Sequence, residues 1–400
     1  MCGPQILHRK GSSAVDSSQE SLKGHKRILY VFNASWFFLS HRRPFARAAK
    51  DAGYEVHVAA APLPGDAEII EADGMTFHPL PLARRGMNPF IEFKTILSIF
   101  RLYSKLKPDL IEQATIKPVI YGSLVSKFIS NLSIVNWMTG LGYVFITDSV
   151  RGSSIRILVV TLYRFVFKRK CFRVIFENPD DQNQFIDKKI IDRKQSIVIR
   201  GAGVDTKLFV PSSELTGCVV IVLPARMLWD KGVGEFVEAA RTLKSEGIDN
   251  TRFILVGDID DGNPASVSRA QLKEWENDGV IEWWGRRNDM AAVFAQAHIV
   301  CLPSYREGLP KVLLEAAASG RPIATTDVPG CREVVREGSN GLLVPVKDSD
   351  ALAAALRKLI ENKELREQMG AKGREIVLNE FSEEKIVAET VAVYKELLGQ

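Results

Sequence analysis

No apolar run in the 400 residues approaches the ~20 that a membrane-spanning helix requires, and no repeat of solenoid length occurs. The expectation is a protein that is soluble or attached to one membrane surface. Cysteine is scarce: Cys2, Cys171, Cys218, Cys301 and Cys331 are scattered without CxxC or histidine pairing. That scatter argues against a disulfide frame or a zinc site and fits reduced thiols in a cytosol. Neither sign of charge dominates, since 53 Lys and Arg face 48 Asp and Glu. So small a margin gives no ground for a nucleic-acid partner. Residues 1–26 also lack an apolar run; polar and Ser-rich, they read as a disordered leader and not as a signal peptide.

What is present is apolar content of 46%, enough over this length to bury two cores. Short β-branched runs alternate with helical stretches. RILYVF, YEVHVAA, PDLIEQ, SIVNWMT, FRVIFEN and SIVIRG read as buried strands in the first half. CVVIVLPAR, RFILVG, GVIEWWG, HIVCLPS, RPIATT and NGLLVP repeat the style in the second. Near-continuous apolar strands separated by helices predict parallel sheets covered on both faces, hence an α/β chain of two doubly wound domains. The non-periodic stretch GAGVDTKLFVPSSELTG, residues 201–217, marks the join. The expected division is a leader 1–26, domains 27–205 and 206–381, and a final helix 382–400 with Ser382 as N-cap.

Ligands of open parallel sheets bind at the carboxyl ends of the strands. After the strand HIVCLPS comes YREGLPKVLLEAAASGRP, which places Glu307 on a loop and Pro310 in the first turn of a helix. Glu315 lies five residues further, about 7.5 Å along the axis. Free N–H groups and the helix dipole at such a start favour a pyrophosphate, and a carboxylate accepts paired hydroxyls well. A nucleotide-sugar has that layout, with a hexose, a diphosphate and a ribose in line. Two acids that merely favour the positive helix end are the plainer alternative. Arg226, ending the strand CVVIVLPAR, and Lys231, in DKG before a helix, are placed to neutralise a leaving diphosphate. Arg226 has the alternative of pairing with Asp230 or Asp258.

The run EGLPKVLLEAAASGRP from Glu307, followed by VPGCREVVREGSNGLLVP, resembles the glutamate-x7-glutamate signature of retaining GT-B glycosyltransferases of family four. CLPSYREG and LPARMLWDKGVGEFVEAA are similar to that family in order and spacing, and the resemblance runs from about residue 27 to the end. It implies a GT-B fold, two facing Rossmann-like domains with the C-terminal helix crossing back to the first. It implies that Glu315 binds ribose hydroxyls and Glu307 the donor sugar. The N–H groups of Gly308, Leu309 and Lys311 would face the diphosphate, Arg226 and Lys231 would hold its charge, and the turn Gly285, Arg286, Arg287 would hold the base. A UDP-linked nucleotide-sugar co-substrate and no metal or other cofactor are what the same resemblance implies. Asp258-x-Asp260 in GDIDDG, at a variable loop of the family, reads as a turn.

The first half departs from the family in lacking a Gly-rich loop after the first strand, where it has NASWFFLSHRRPFARAAK. It still resembles a branch acting on lipid-linked saccharides in cell-surface polysaccharide assembly, as do TIKPVIYGSLVSK and NWMTGLGYVF. Trp36, Arg42, Lys117, Asn136 and Thr139 are the acceptor-side candidates. His41 stands equally as a group acting on the acceptor hydroxyl and as a helix-start residue. Lys117 stands as an acceptor-phosphate ligand or a solvated loop lysine. Residues 156–176, RILVVTLYRFVFKRKCFRVIF, mix large apolar residues with six cations and no acid. They fit an anionic membrane interface, or an ordinary helix with a basic face. The resulting expectation is a hexosyltransferase, peripheral on the cytoplasmic face of the membrane, using a polyprenyl-diphosphate-linked acceptor. A GT-B-type sugar-nucleotide epimerase and a non-catalytic nucleotide-sugar scaffold are the alternatives.

Overall fold

The computed structural model describes residues 25–82, 88–130, 132–140, 150–168 (side chains from 156) and 171–400. The expected leader up to residue 24, and most of GLGYVF, lie outside the described residues. Seven strands form the first sheet: β1 (Arg27–Val31), β2 (Glu55–Ala60), β3 (Thr76–Pro79), β4 (Leu110–Ala114), β5 (Ser133–Met138), β6 (Phe172–Phe176) and β7 (Ser196–Val198). All pair in parallel, in the order β3-β2-β1-β4-β5-β6-β7. The second sheet holds β8 (Val219–Pro224), β9 (Thr251–Val256), β10 (Glu282–Trp283), β11 (Ile299–Leu302), β12 (Ile323–Thr326) and β13 (Gly341–Val344). It is also parallel, ordered β10-β9-β8-β11-β12-β13. Strand β3 is the one absent from the expectation. It lies at an edge, is half-exposed and ends in Pro79, so it carries no continuous apolar run.

Helices α1 (Ser35–His41), α2 (Arg43–Asp51) and α3 (Asp66–Ala72) cover one face of the first sheet, with Phe38, Phe45 and Ile70 in its core. The other face carries α4 (Pro89–Leu106), α5 (Ile116–Ser126) and α6 (Val150–Val166), through Ile99, Val119 and Tyr163, with α7 (Pro179–Asp187) adding Phe185. Capping explains where several of these begin. Asn88 accepts from the Phe90 N–H and Asn178 from the Asp181 N–H, each just before a proline at the first helical position. The basic stretch 156–176 is divided between α6 and β6, so from Phe172 it is a buried inner strand and only its α6 part is available to an interface.

In the second half α8 (Val233–Ser245), α9 (Arg269–Asn277), α10 (Met290–Gln296), α11 (Lys311–Ala318), α12 (Cys331–Val334), α13 (Ser349–Glu361) and α14 (Lys363–Glu380) enclose the sheet. Phe236, Leu272 and Leu356 line one face; Phe294, Leu314 and Ile376 line the other. The final helix α15 (Glu383–Leu398) returns to the first sheet, burying Ile386, Val393 and Tyr394. Ser382 stands at its N-cap position but its hydroxyl makes no cap hydrogen bond; the Glu383 N–H is taken by the Val204 carbonyl at 3.0 Å.

A buried polar network fixes that return. The Arg42 guanidinium is fully buried, 3.3 Å from Glu112 and stacked 3.8 Å from the Trp137 ring centre. Tyr394 of α15 donates to the other Glu112 oxygen, and the Tyr30 hydroxyl stands 3.3 Å from that of Tyr394. Removing one partner of such a pair strands a charge in the core at a cost of roughly 3–5 kcal/mol, whereas an apolar replacement of both partners is often neutral. Chemical denaturation should therefore find Arg42→Met destabilised by about that amount, with most of it recovered in Arg42→Met/Glu112→Leu. Equal losses in the single and double variants would contradict the pairing.

Candidate active site

The two sheets turn their carboxyl edges toward each other, and a cavity of about 450 Å³ lies between them. One wall is the end of β8, Pro224 to Arg226, beside Leu302 of β11, which is the switch point of the second sheet. Trp36, Phe37 and His41 of α1, Thr139 after β5 and Glu177 after β6 form the facing wall. Between them runs the loop Glu307 to Pro310 leading into α11.

Lys231 and Glu307 meet here, 76 residues apart in sequence, with Nζ 2.5 Å from Oε1. Their loops are laced together, since Asp230 O accepts from the Tyr305 N–H at 2.9 Å and from the Ser304 hydroxyl at 3.2 Å. Gly232 permits this approach: its φ is +72°, and a Cβ there would lie 2.1 Å from Pro303 O. Arg226 pairs with Asp260 at 2.6 Å, a partner other than Asp230 or Asp258. Asp260 also accepts from Asn263, and Asp258 from the Ile259 N–H, so GDIDDG is a hydrogen-bonded turn.

Helix α11 begins at Lys311, one residue later than expected, with Pro310 in extended conformation as its N-cap. The Lys311 ammonium reaches across the cavity to Ser40 O at 2.8 Å and lies 3.8 Å from the Glu315 carboxylate. Glu315 does not line the cavity itself; its side chain is mostly buried beside an otherwise apolar helix face, and burial pushes its carboxyl up to about 7 against the opposing pull of Lys311. His41 stacks on Phe37 with ring centres 4.5 Å apart, and its Nδ1 is 2.6 Å from the Ser40 hydroxyl. Burial, with Lys311 and Arg42 nearby, lowers the imidazole to about 3, so it stays neutral and is a poor proton acceptor.

Other expected positions fall elsewhere. Arg42 does not reach the cavity: α2 starts directly after it, and its side chain turns inward to Glu112. Asn136 lies within β5, on the face opposite Trp137, and its Oδ1 accepts from Ser123 beneath α5 at 3.2 Å. Lys117 pairs with Glu92 at 2.5 Å. Gly285, Arg286 and Arg287 follow β10 as irregular chain; Gly285 O accepts from the Gly257 N–H, after β9, at 2.8 Å, while Arg287 grips Asp289. They do not line the cavity itself.

Residues 207–376 match the model described as glycosyl transferases group 1, and residues 27–178 match that described as glycosyl transferase 4-like. Those two segments include both walls of the cavity. The chain belongs to this glycosyltransferase family. The transferase is 28% identical over 353 residues to the N,N'-diacetylbacillosaminyl-diphospho-undecaprenol alpha-1,3-N-acetylgalactosaminyltransferase of Campylobacter jejuni, spanning 85% of this chain and 91% of that one. It is 23% identical over 332 residues to the UDP-Gal:alpha-D-GlcNAc-diphosphoundecaprenol alpha-1,3-galactosyltransferase of Escherichia coli, with 80% and 83% covered. Sucrose-phosphate synthase from Thermosynechococcus elongatus superposes with a TM-score of 0.79 at 19% identity, over 94% of this chain and 100% of that one. HepE of Anabaena in complex with UDP-glucose gives 0.75 at 19% identity, over 92% and 100%. The fold is GT-B, with α15 crossing back to the first domain.

The transferase also holds groups at this site that its sequence did not single out. Glu177 accepts from Trp137 Nε1 at 3.2 Å, and its Oε2 packs against Gly308, beside the Leu309 backbone N–H. Asn178 donates to Gly308 O at 2.8 Å, and Asp181 pairs with Arg306 at 2.5 Å. The string FENPDD is the one trace of this clamp, and it reads as nothing more than a strand end followed by a capped helix. Gly308 is required where it sits, since a Cβ would lie 2.7 Å from both Glu177 Oε2 and Thr139 O.

A carboxyl raised on folding gives stability that is full below its unfolded value of about 4.3 and lost as pH rises through its folded value near 7. Glu315→Gln should therefore be more stable than wild type by an amount that widens between pH 4.5 and 7.5, reaching on the order of 2 kcal/mol. The same variant should bind a nucleoside diphosphate about tenfold more weakly, the cost of one charge-assisted hydrogen bond. Parallel melting curves across that pH range, with unchanged binding, would remove Glu315 from the site.

Proposed function

We infer that the enzyme transfers a hexose or N-acetylhexosamine from a UDP-sugar to a hydroxyl of a polyprenyl-diphosphate-linked saccharide, with retention of anomeric configuration and without a metal. The observation that carries this is the junction of Lys231, Glu307 and the start of α11 in one cavity. The donor diphosphate is proposed to lie on the backbone N–H groups of Leu309 and Lys311, with Lys231 and Arg226 against its charge. Glu307 then meets the hexose hydroxyls, Glu315 the ribose, and the chain at Gly285 the base. Cations and helix-start N–H groups aimed at the departing diphosphate stabilise charge that grows as the glycosidic bond breaks. The acceptor hydroxyl attacks on the face the diphosphate leaves, and a β-phosphate oxygen takes its proton. A neutral His41 suits orientation of that hydroxyl by hydrogen bonding. The curated relatives named above act on diphospho-undecaprenol saccharides and, in one case, use UDP-galactose, which supports the donor and acceptor classes.

With a UDP-sugar and a lipid-linked acceptor, Lys231→Ala should lower kcat/KM by about 10²–10³, as for other groups that meet developing transition-state charge. UDP release should require acceptor. Acceptor-independent change of the sugar would favour an epimerase, and full turnover in the variant would displace Lys231 from its role.

Attachment to an anionic membrane is part of the same proposal, and α4 supports it. Phe90, Phe93 and Phe100 are exposed along one stripe, Phe90 by 86%, with Lys94, Arg101 and Lys105 beside them. The helix's single acid, Glu92, turns inward to Lys117 and Tyr121. Ile157, Leu158 and Phe165 of α6 are exposed on the same layer, near Arg164 and Lys168. Apolar side chains ringed by cations fit the headgroup boundary. No helix among the described residues is long and apolar enough to cross a membrane. In flotation with phosphatidylglycerol vesicles, Phe90→Ser/Phe93→Ser should lose about tenfold or more in binding while retaining its melting temperature. Unchanged flotation would separate this face from the membrane.

A further inference from the structure

Glu177 raises a chemical question that the donor site alone does not answer. Its Oε2 packs against Gly308, which sets the carboxyl beside the Leu309 N–H, one of the groups to which the diphosphate is assigned. Two anions cannot take the same helix-start N–H. A second position for the carboxyl is built into the wall behind it. Arg42 Nη2 lies 3.9 Å from Glu177 Oε1, is fully buried, and makes no hydrogen bond among the described residues. Its guanidinium is held in place by Glu112, by the Trp137 ring and by His41 O, to which Nη1 donates at 3.2 Å.

We propose that Glu177 is a resident anion of the diphosphate seat, which the donor's diphosphate displaces from beside the Leu309 N–H by turning the carboxyl toward Arg42 Nη2. The inference rests on the cavity being the donor site. It makes Glu177 a positioning residue. While it holds the loop, the Gly308–Leu309 backbone stays aligned for a phosphate; when product leaves, the carboxylate competes for the same N–H and favours release.

The exchange predicts a pH dependence of donor binding. Burial raises the Glu177 carboxyl to about 7, with Arg42, the Trp137 hydrogen bond and the nearby Leu309 N–H opposing and Asp181 assisting. The other charged groups on the cavity are Arg226, Lys231, Glu307 and Lys311, beside the neutral His41. Below 7 the carboxyl is protonated and competes weakly; above 7 it is an anion in the diphosphate's place. The diphosphate diester of a nucleotide-sugar does not itself titrate between pH 6 and 8. Glu315 titrates in wild type and Glu177→Gln alike, so its effect cancels in the ratio of their affinities.

Calorimetry with UDP-N-acetylgalactosamine and UDP-glucose at pH 6 and pH 8 tests this. Glu177→Gln should bind several-fold, up to about tenfold, more tightly than wild type at pH 8, and equally at pH 6. A residue that merely supports the wall would weaken binding when changed, at both pH values. In wild type, the Trp137 indole N–H resonance, assigned by Trp137→Phe, should shift on donor binding as its carboxyl partner moves. Weaker or pH-independent binding by Glu177→Gln, or an unmoved Trp137 resonance in the donor complex, overturns the exchange while leaving the donor site standing. Failure of either nucleotide-sugar or UDP to bind overturns both.

Discussion

A helix must begin somewhere, and its first backbone N–H groups have no acceptor inside their own helix. In this transferase that unmet demand is placed between two domains, at the start of α11, on the cavity. The surroundings are organised by that fact. Lys231, Arg226 and Lys311 bring positive charge to the same cavity, Glu307 is held by Lys231, and Glu177 reaches over from the opposite domain to pack against Gly308. A ligand with a diphosphate at its centre and hydroxyls at both ends would complement the cations, the helix start and Glu307 together. The family's chemistry then becomes a question of charge placement more than of any single reactive side chain.

The same loop is what joins the domains. Asn178 holds Gly308 O, Asp181 holds Arg306, and Lys311 reaches Ser40, so the loop that Lys231 and Asp230 fix within its own domain is also held by the first domain. The first domain is in turn tied to the second by α15, whose Tyr394 reaches the Glu112 partnered by Arg42. Arg42 therefore lies between the crossover helix and the wall that carries Glu177. A buried ion pair of this kind adds little net stability, and its value is in fixing one arrangement of the groups above it.

Much of this architecture was legible in the sequence for a simple reason. Strands β8, β9, β11, β12 and β13 are buried over most of their length, and a strand with little wet face announces itself as a nearly unbroken apolar run. Glu307 and Lys231 were legible because their loops follow such strands. Strand β3 was hidden because an edge strand need not be apolar. Arg42 was misplaced because HRRP after a strand reads as a basic rim, while one helix ends and another begins at that residue and swings the guanidinium inward. Asn136 was misplaced by the period of two within β5. Glu177 could not be found at all from spacing, since Gly308, against which it packs, lies in the other domain and only the closure of the chain on itself brings them together.

The most direct test is a crystal structure of the enzyme with UDP. The account predicts the β-phosphate on the Leu309 and Lys311 N–H groups between Arg226 and Lys231, with both ribose hydroxyls on the Glu315 carboxylate. A nucleotide lodged away from the start of α11, or a Glu315 side chain turned to solvent beside it, would contradict it.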